Sequence, residues 1–231
     1  MIKIEKTDVY GWEAAIRGMR NPMNSWDKMD SGLKEITIDG HFDGVDFVVG
    51  ENDHDLMMKL ANGGSVHAKY RRMITVTCDI TAPLYWWKEF DTYKVGTVAN
   101  SCSTMHKIHA KEFTLDDFSH EHLFDGIYWL EGERDMEYYE NPTTCLGYIV
   151  KVLNHYRKKF IETKDKRYWW PIIQLLPSSY NQKRTVQMNY EVLVGMYRDR
   201  KNHKLDEWRM FCEWIEKLPY SEFITGGDSN G

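Results

Sequence analysis

The sequence predicts an α+β fold, and three observations carry that prediction. Between Met73 and Ile80, the residues Ile74, Val76, Cys78 and Ile80 alternate with Met73, Thr75, Thr77 and Asp79, the period-2 pattern of a half-buried strand. From Thr143 to Ile161, the side chains of Leu146, Ile149, Val150, Leu153, Tyr156 and Phe160 recur at helical spacing, so a long amphipathic helix is expected. Ile36 to Ile38 and Val45 to Val49 straddle the turn formers Asp39, Gly40, Asp43 and Gly44, the pattern of a hairpin. With 231 residues the chain can build one sizeable core but hardly two. We therefore expect a single domain over residues 1–225 and a flexible tail over 226–231.

The remaining elements follow in order. Met1 to Asp8 reads as an edge strand. Gly11 to Arg20 reads as an amphipathic helix with Trp12, Ala15, Ile16 and Met19 on one side, broken by Asn21, Pro22 and Asn24. Leu56 to Ala61 is helical and stops at Asn62, Gly63 and Gly64. Thr81 can cap a following helix with Pro83 in its first turn, where a missing N–H costs nothing, and that helix is expected to run to about Tyr93. Residues 109–141 form a polar, acidic and aromatic insertion with no assignable element. Val186 to Tyr197 and Leu205 to Leu218 are expected as two further helices.

Composition narrows the function classes. The chain is 42% hydrophobic and 28% charged, ordinary for a soluble globular protein. A net charge of −5 and a pI near 6.0 leave no basic face for duplex nucleic acid, so any anion is caught by local basic groups. Cys78, Cys102, Cys145 and Cys212 are widely spaced and form no C-x-x-C, and the first ten residues lack an apolar targeting core; four free thiols in a cytoplasmic protein are expected. No apolar run is long enough for a membrane span. Nine Trp and fourteen Tyr, many beside charges, suit subunit contacts or a planar ligand as well as an aromatic core.

The run from Met73 to Phe90, with its strand and its Ala82-Pro83 pair, resembles the segment that leads into the signature R-H-R-x-x-S-x-N-E-x-S-x-R-Y of the flavin-dependent thymidylate synthases. His67 stands where that family begins its G-H-x-S-P-F-E-H segment. Leu176-Pro177, Met188-Asn189 and Arg200 match the family's Leu-Pro, Asn and nucleotide-binding arginine in order and separation, and Glu207 to Met210 is similar to its Gln-Trp-Glu-Ile. The resemblance spans about Asp55 to Leu218. It implies a central, mostly antiparallel sheet packed with long helices, a homotetramer with active sites between subunits, and FAD as cofactor. Methylenetetrahydrofolate and NADPH are the implied co-substrates, and the implied partner is a pyrimidine nucleotide such as dUMP that receives a one-carbon unit reductively. Residues 109–141 are atypical of the family.

The signature itself has diverged. Carried over without gaps, Arg-His-Arg becomes Thr92-Tyr93-Lys94, Ser becomes Thr97, Asn-Glu becomes Ala99-Asn100, the second Ser becomes Cys102, and Arg-Tyr becomes Thr104-Met105. Lysine is a point charge on a flexible stem, whereas arginine grips phosphate or a pyrimidine oxygen through two bonds, so the exchange changes the ligand or retires the site. By resemblance Arg200, Lys183, Arg184 and Lys94 are the substrate-binding candidates, and His67, Thr92, Tyr93, Lys94 and Asn189 the cofactor-binding ones. No catalytic side chain is assigned, because in such a site the flavin carries the difficult step.

Simpler accounts stand beside these. Lys183-Arg184 can be a solvated basic pair, Arg200 part of a charge-rich helix end, His67 a structural histidine and Tyr93 a helix tyrosine buried in the core. Cys102 with His106 four residues on could form a nucleophile and base on one helical turn, though an isolated Cys is usually a packing residue. His106, His109, His120 and His122 with Asp116 and Asp117 do not have the spacing of a known zinc motif, so no metal is expected. A catalytically silent nucleotide-binding homologue, or a structural oligomer using Tyr128-Trp129 and Tyr138-Tyr139, remains an alternative, and Trp86-Trp87 and Trp169-Trp170 are candidates for subunit contacts.

Overall fold

The computed structural model describes residues 1–39, 41–124 and 141–226. Its architecture is α+β. Strand β1 (Lys3–Tyr10), helix α1 (Trp12–Arg20), strands β2 (Gly32–Ile38) and β3 (His41–Val48) and helix α2 (Glu51–Asn62) come first. Strand β4 (Thr75–Pro83), helix α3 (Leu84–Phe90), strand β5 (Val98–Ser101) and helices α4 (Pro142–Thr163) and α5 (Lys166–Gln174) follow. Strand β6 (Asn181–Asn189) and helices α6 (Tyr190–Arg200), α7 (Asp206–Ile215) and α8 (Glu222–Thr225) complete the order. Four strands form a sheet in the order β1-β4-β6-β5, so β1 is the expected edge, and β2 and β3 form a separate antiparallel pair. In that pair Ile36 opposes Gly44 and Thr37 opposes Phe42, which leaves Asp43 as an extra residue in the ladder rather than a turn residue.

Two compact units divide the chain: the first comprises Met1–Lys3, Ile80–Phe90 and Asn100–Arg184, the second Ile4–Asp79, Asp91–Ala99 and Thr185–Gly231. The first unit is built on α4, whose stripe Leu146, Val150 and Leu153 packs with Ile108, Phe113, Phe118 and Ile172. Asn141 accepts from the Thr144 amide at 3.0 Å and Pro142 follows it, so a capped start replaces orphan donors. Trp86, Trp87 and Phe90 form a second aromatic cluster with ring centroids 4.9–5.1 Å apart. Trp86 and Trp87 are fully buried, so this pair is core and cannot serve as the expected subunit contact; Trp170 is 51% exposed. Tyr128-Trp129 and Tyr138-Tyr139 lie outside the described residues, as does all of the tail beyond 226.

The second unit packs Trp12 edge-on against Tyr190 and Tyr220, and Ile16, Met57 and Ile74 are fully buried in it. Gly11 turns the chain from β1 into α1 at φ 96°, and a Cβ there would lie 2.1 Å from the Met73 carbonyl oxygen, so no other residue fits without moving β4's approach. The buried Arg20 donates to Asp53 at 2.6 Å, and the second Asp53 oxygen takes the Asp30 and Ser31 amides and the Ser31 hydroxyl. Burial disfavours that carboxylate's charge, but the donors from Ser31, Arg20 and the two amides outweigh it and hold its pKa below the usual value.

Three boundaries differ from the sequence expectations. Thr81 and Pro83 belong to β4, and α3 ends at Phe90, so Tyr93 lies in a turn rather than a helix. The expected helix Val186 to Tyr197 begins only at Tyr190. Residues Gln182, Val186 and Met188 are buried at even positions, a strand pattern, and Asn189 stops it by capping α6 through the Val192 amide at 2.9 Å. Helix α5, with Pro171 inside it, had no clear periodic signal.

Candidate functional site

In the second unit, the early shortening of α3 frees residues 91–97 to form a turn. Gly96 adopts φ 83°, and a Cβ there would come within 2.9 Å of the Asn189 amide nitrogen, so the turn lies close against the start of α6. The Thr97 hydroxyl donates to the Tyr93 carbonyl and closes the turn. Helix α6 carries Arg200 in its last turn, where a cation also suits the helix dipole. Arg200 Nε donates to the Tyr93 hydroxyl at 2.9 Å. Its guanidinium carbon stands 4.7 Å from the Trp208 ring centroid and 5.5 Å from that of Tyr93, and the two rings meet edge-on at 6.0 Å. Trp208 is wholly buried while Arg200 and Tyr93 are half-buried. Two aromatic rings and one hydroxyl therefore fix a planar cation in orientation, with cation–π attraction of about 0.5 to 2 kcal/mol adding to the hydrogen bond.

The other residues proposed for this half have different roles. Asn189 spends its side-chain oxygen on the α6 cap. Thr92 and Lys94 are exposed on the turn beside Tyr93. His67 is exposed in the turn after α2, and its ring packs by Gly63, where a Cβ would lie 3.2 Å from Cδ2. Lys94 and His67 each expose a group of the kind that can hold a flavin's diphosphate, an ammonium and an imidazole, while Thr92 already has an interaction of its own. Tyr93 and Asn189 already have intrachain partners.

In the first unit, Lys183 and Arg184 are neighbours on β6 and so point to opposite faces. Arg184 lies with its guanidinium carbon 4.1 Å from the Trp87 ring centroid and donates from Nε to Gln182 Oε1 at 3.0 Å. Trp87 in turn donates to the Gln182 carbonyl at 2.9 Å. Lys183 lines a cavity of about 530 Å³ with Cys102, Lys111, Asp116, Asp117 and Tyr180. Lys111 pairs with Asp117 there. Burial first, then the charges of Asp117 and Cys102, raise the Tyr180 phenol above its ordinary value, so it stays a neutral donor. The strand backbone joins this cavity to β5, since Cys102 donates its amide to the Lys183 carbonyl at 2.9 Å. A single anion therefore cannot be gripped by Lys183 and Arg184 as a pair.

Cys102 is exposed, and residues 102–106 are not helical, so Cys102 and His106 do not share a helical turn. Among the described residues no three His, Cys, Asp or Glu side chains gather as a metal site, and no helix is long and apolar enough to cross a membrane. Trp208, Trp87 and Gln182 were not among the site residues expected from sequence. Trp208 had a signal in the Glu207 to Met210 likeness, whereas Gln182 had none.

No protein-family profile and no curated protein matches the sequence. Solved structures do match in three dimensions. Thymidylate synthase X from Helicobacter pylori, solved with FAD and dUMP, superposes with a TM-score of 0.64 at 14% identity, covering 100% of each chain. The UMP/dUMP methylase PolB from Streptomyces cacaoi, bound with 5-Br dUMP, gives a TM-score of 0.63 at 15% identity over 98% of this chain and 95% of that one. These likenesses show that the chain has the flavin-dependent thymidylate synthase fold.

Proposed function

We propose that the protein binds a pyrimidine nucleotide such as dUMP and acts as a flavin-dependent thymidylate synthase-like one-carbon transferase. The observation that carries this reading is the Tyr93–Arg200 bond. Its two partners come from the two separated halves of the family resemblance, and they meet on the buried Trp208. The neighbours of the same fold were solved with dUMP or its 5-bromo analogue, which supports a pyrimidine nucleotide as the ligand. Arg200 is the principal nucleotide cation in this reading. Lys94 stands beside Tyr93 on the same turn, Lys183 lines a cavity of the first unit, and Arg184 is held by Gln182 and Trp87. His67, Thr92 and Lys94 would hold FAD, which supplies hydride chemistry when bound, with methylenetetrahydrofolate and NADPH as co-substrates. The protein's own part is to orient the nucleotide and polarise its ring. Residues 1–225 act as one domain in a cytoplasmic homotetramer.

A second reading, a nucleotide-binding homologue without flavin, is favoured by one specific observation: Tyr93 and Asn189, two of the five positions matched to flavin binding, are already bonded within the chain. A visible spectrum of the protein reconstituted with FAD, together with melting in the presence of dUMP, separates the two. Flavin absorption that bleaches with reductant, plus thermal stabilisation by dUMP, supports the first. A colourless protein stabilised by dUMP supports the second, and absence of both effects overturns nucleotide binding altogether.

A further inference from the structure

Helices α4 and α5 concentrate positive charge in a chain that is acidic overall. From residue 151 to 170, seven Lys and Arg stand against two acids, a local net charge of +5 in a protein of −5. The helical period turns Leu146, Val150 and Leu153 into the core and leaves Tyr148, Lys151, His155, Lys158 and Lys159 exposed on the opposite side of α4. That face is about 16 Å long at the helical rise of about 1.5 Å per residue. The two acids are occupied locally: Glu162 pairs with Lys159 at 3.8 Å and Asp165 with Arg167 at 2.7 Å. Lys151, Lys158, Lys164 and Lys166 are exposed and have no carboxylate partner among the described residues.

Arg157 stands on the other side of α4, in line with Val150 and Leu153. Arg157 donates to the carbonyls of His109 and Ala110 at 2.9 and 3.4 Å, which fixes its guanidinium beside the His109 loop. Burial, then the charges of Lys164, Lys107 and Arg157, hold the His109 imidazole below its ordinary pKa, and its buried Nδ1 has no hydrogen-bond partner. A solvated lysine face explains charge alone. It does not explain why aromatic surface lies among the cations: Tyr148 is 68% exposed and Trp170, packed edge-on against Trp169, is 51% exposed.

We propose that this face of α4 and α5 binds single-stranded nucleic acid, with phosphates against Lys151, Lys158, Lys164 and Lys166 and unpaired bases stacked on Tyr148 and Trp170. Cations that track the backbone and aromatic rings that accept any base are the general means of holding a single strand. A duplex hides its base faces and would leave both rings unused.

The test uses the full chain and a fluorescein-labelled oligothymidylate or oligouridylate of about 20 nucleotides, followed by anisotropy from about 50 to 200 mM salt. Binding should weaken as salt rises. Lys158→Gln, Lys164→Gln and Lys166→Gln together should reduce the salt slope by about 2, since each contact with a single strand contributes about 0.7. Tyr148→Ala with Trp170→Ala should weaken binding at least about fivefold while leaving the salt slope unchanged. Circular dichroism melting of each variant checks that it folds. No binding at the lowest salt, or binding indifferent to both sets of changes, overturns the proposal. So does polyglutamate binding as tightly as the oligonucleotide with no effect of the aromatic changes, which would identify an acidic protein segment as the partner.

Discussion

Arg184 and Arg200 are the same side chain over the same kind of ring, yet they are held by different means. Arg184 donates its hydrogen bond to Gln182, two residues back on the same face of one strand. Arg200 donates its to Tyr93, 107 residues away in sequence. A cation fastened by its own strand is set by local sequence and resists change. One fastened across the fold depends on a turn that other groups can move, so it is the better suited to respond to a ligand.

The largest effect should come from removing either ring. Trp208→Ala and Trp87→Ala should each lose about 3 to 5 kcal/mol in urea unfolding, because both indoles are wholly buried. Wild-type stability in Trp208→Ala would show that the ring does not brace Arg200. Next is the response to dUMP, read by melting or calorimetry. Arg200→Ala should weaken it by about 10- to 100-fold, the equivalent of about 1.5 to 3 kcal/mol for a charge-assisted bond, and Arg184→Ala by less than about threefold. Equal losses would erase the distinction between the two arginines. The smallest effect belongs to Tyr93→Phe, which keeps the ring and removes the acceptor. It should cost about 0.5 to 1.5 kcal/mol of stability, and nucleotide binding should fall with it. Unchanged binding would mean that Arg200 needs only the stacking.

Much of this was legible in the sequence because it rested on period and spacing. The alternation of Ile74, Val76, Cys78 and Ile80 marked β4, and the stripe along α4 marked the longest helix. The separations from Pro177 to Asn189 and on to Arg200, which match the family's, pointed to the fold. The misreadings lie where two patterns overlap. Val186 and Met188 sit at spacings that serve a strand and a helix alike, and only the cap at Asn189 separates β6 from α6. Helix α5 hid because Trp169, Trp170 and Pro171 weaken its helical signal. At the site, Arg200 was visible by its place in the sequence. The pairing with Tyr93 was not, since a turn brings them together and the family position holds a different residue. Gln182 carried no signal at all: its side chain accepts from Arg184 on its own strand and donates to the Cys102 carbonyl 80 residues away, a pairing that no local pattern announces.

The four cysteines have a practical consequence. Burial, aided by Asp79, pushes the Cys78 thiol up to about 12, and burial with Glu216 and Glu213 does the same for Cys212 despite the opposing charge of Lys201. Both therefore remain protonated and sealed from alkylating reagents at neutral pH. Cys102 and Cys145 are exposed, one on the rim of the Lys183 cavity and the other in the first turns of α4. A maleimide dye thus has two natural attachment points, and the Cys145→Ser variant leaves one. A fluorophore on Cys102 alone would report on events in that cavity by its colour and brightness, without an added tag.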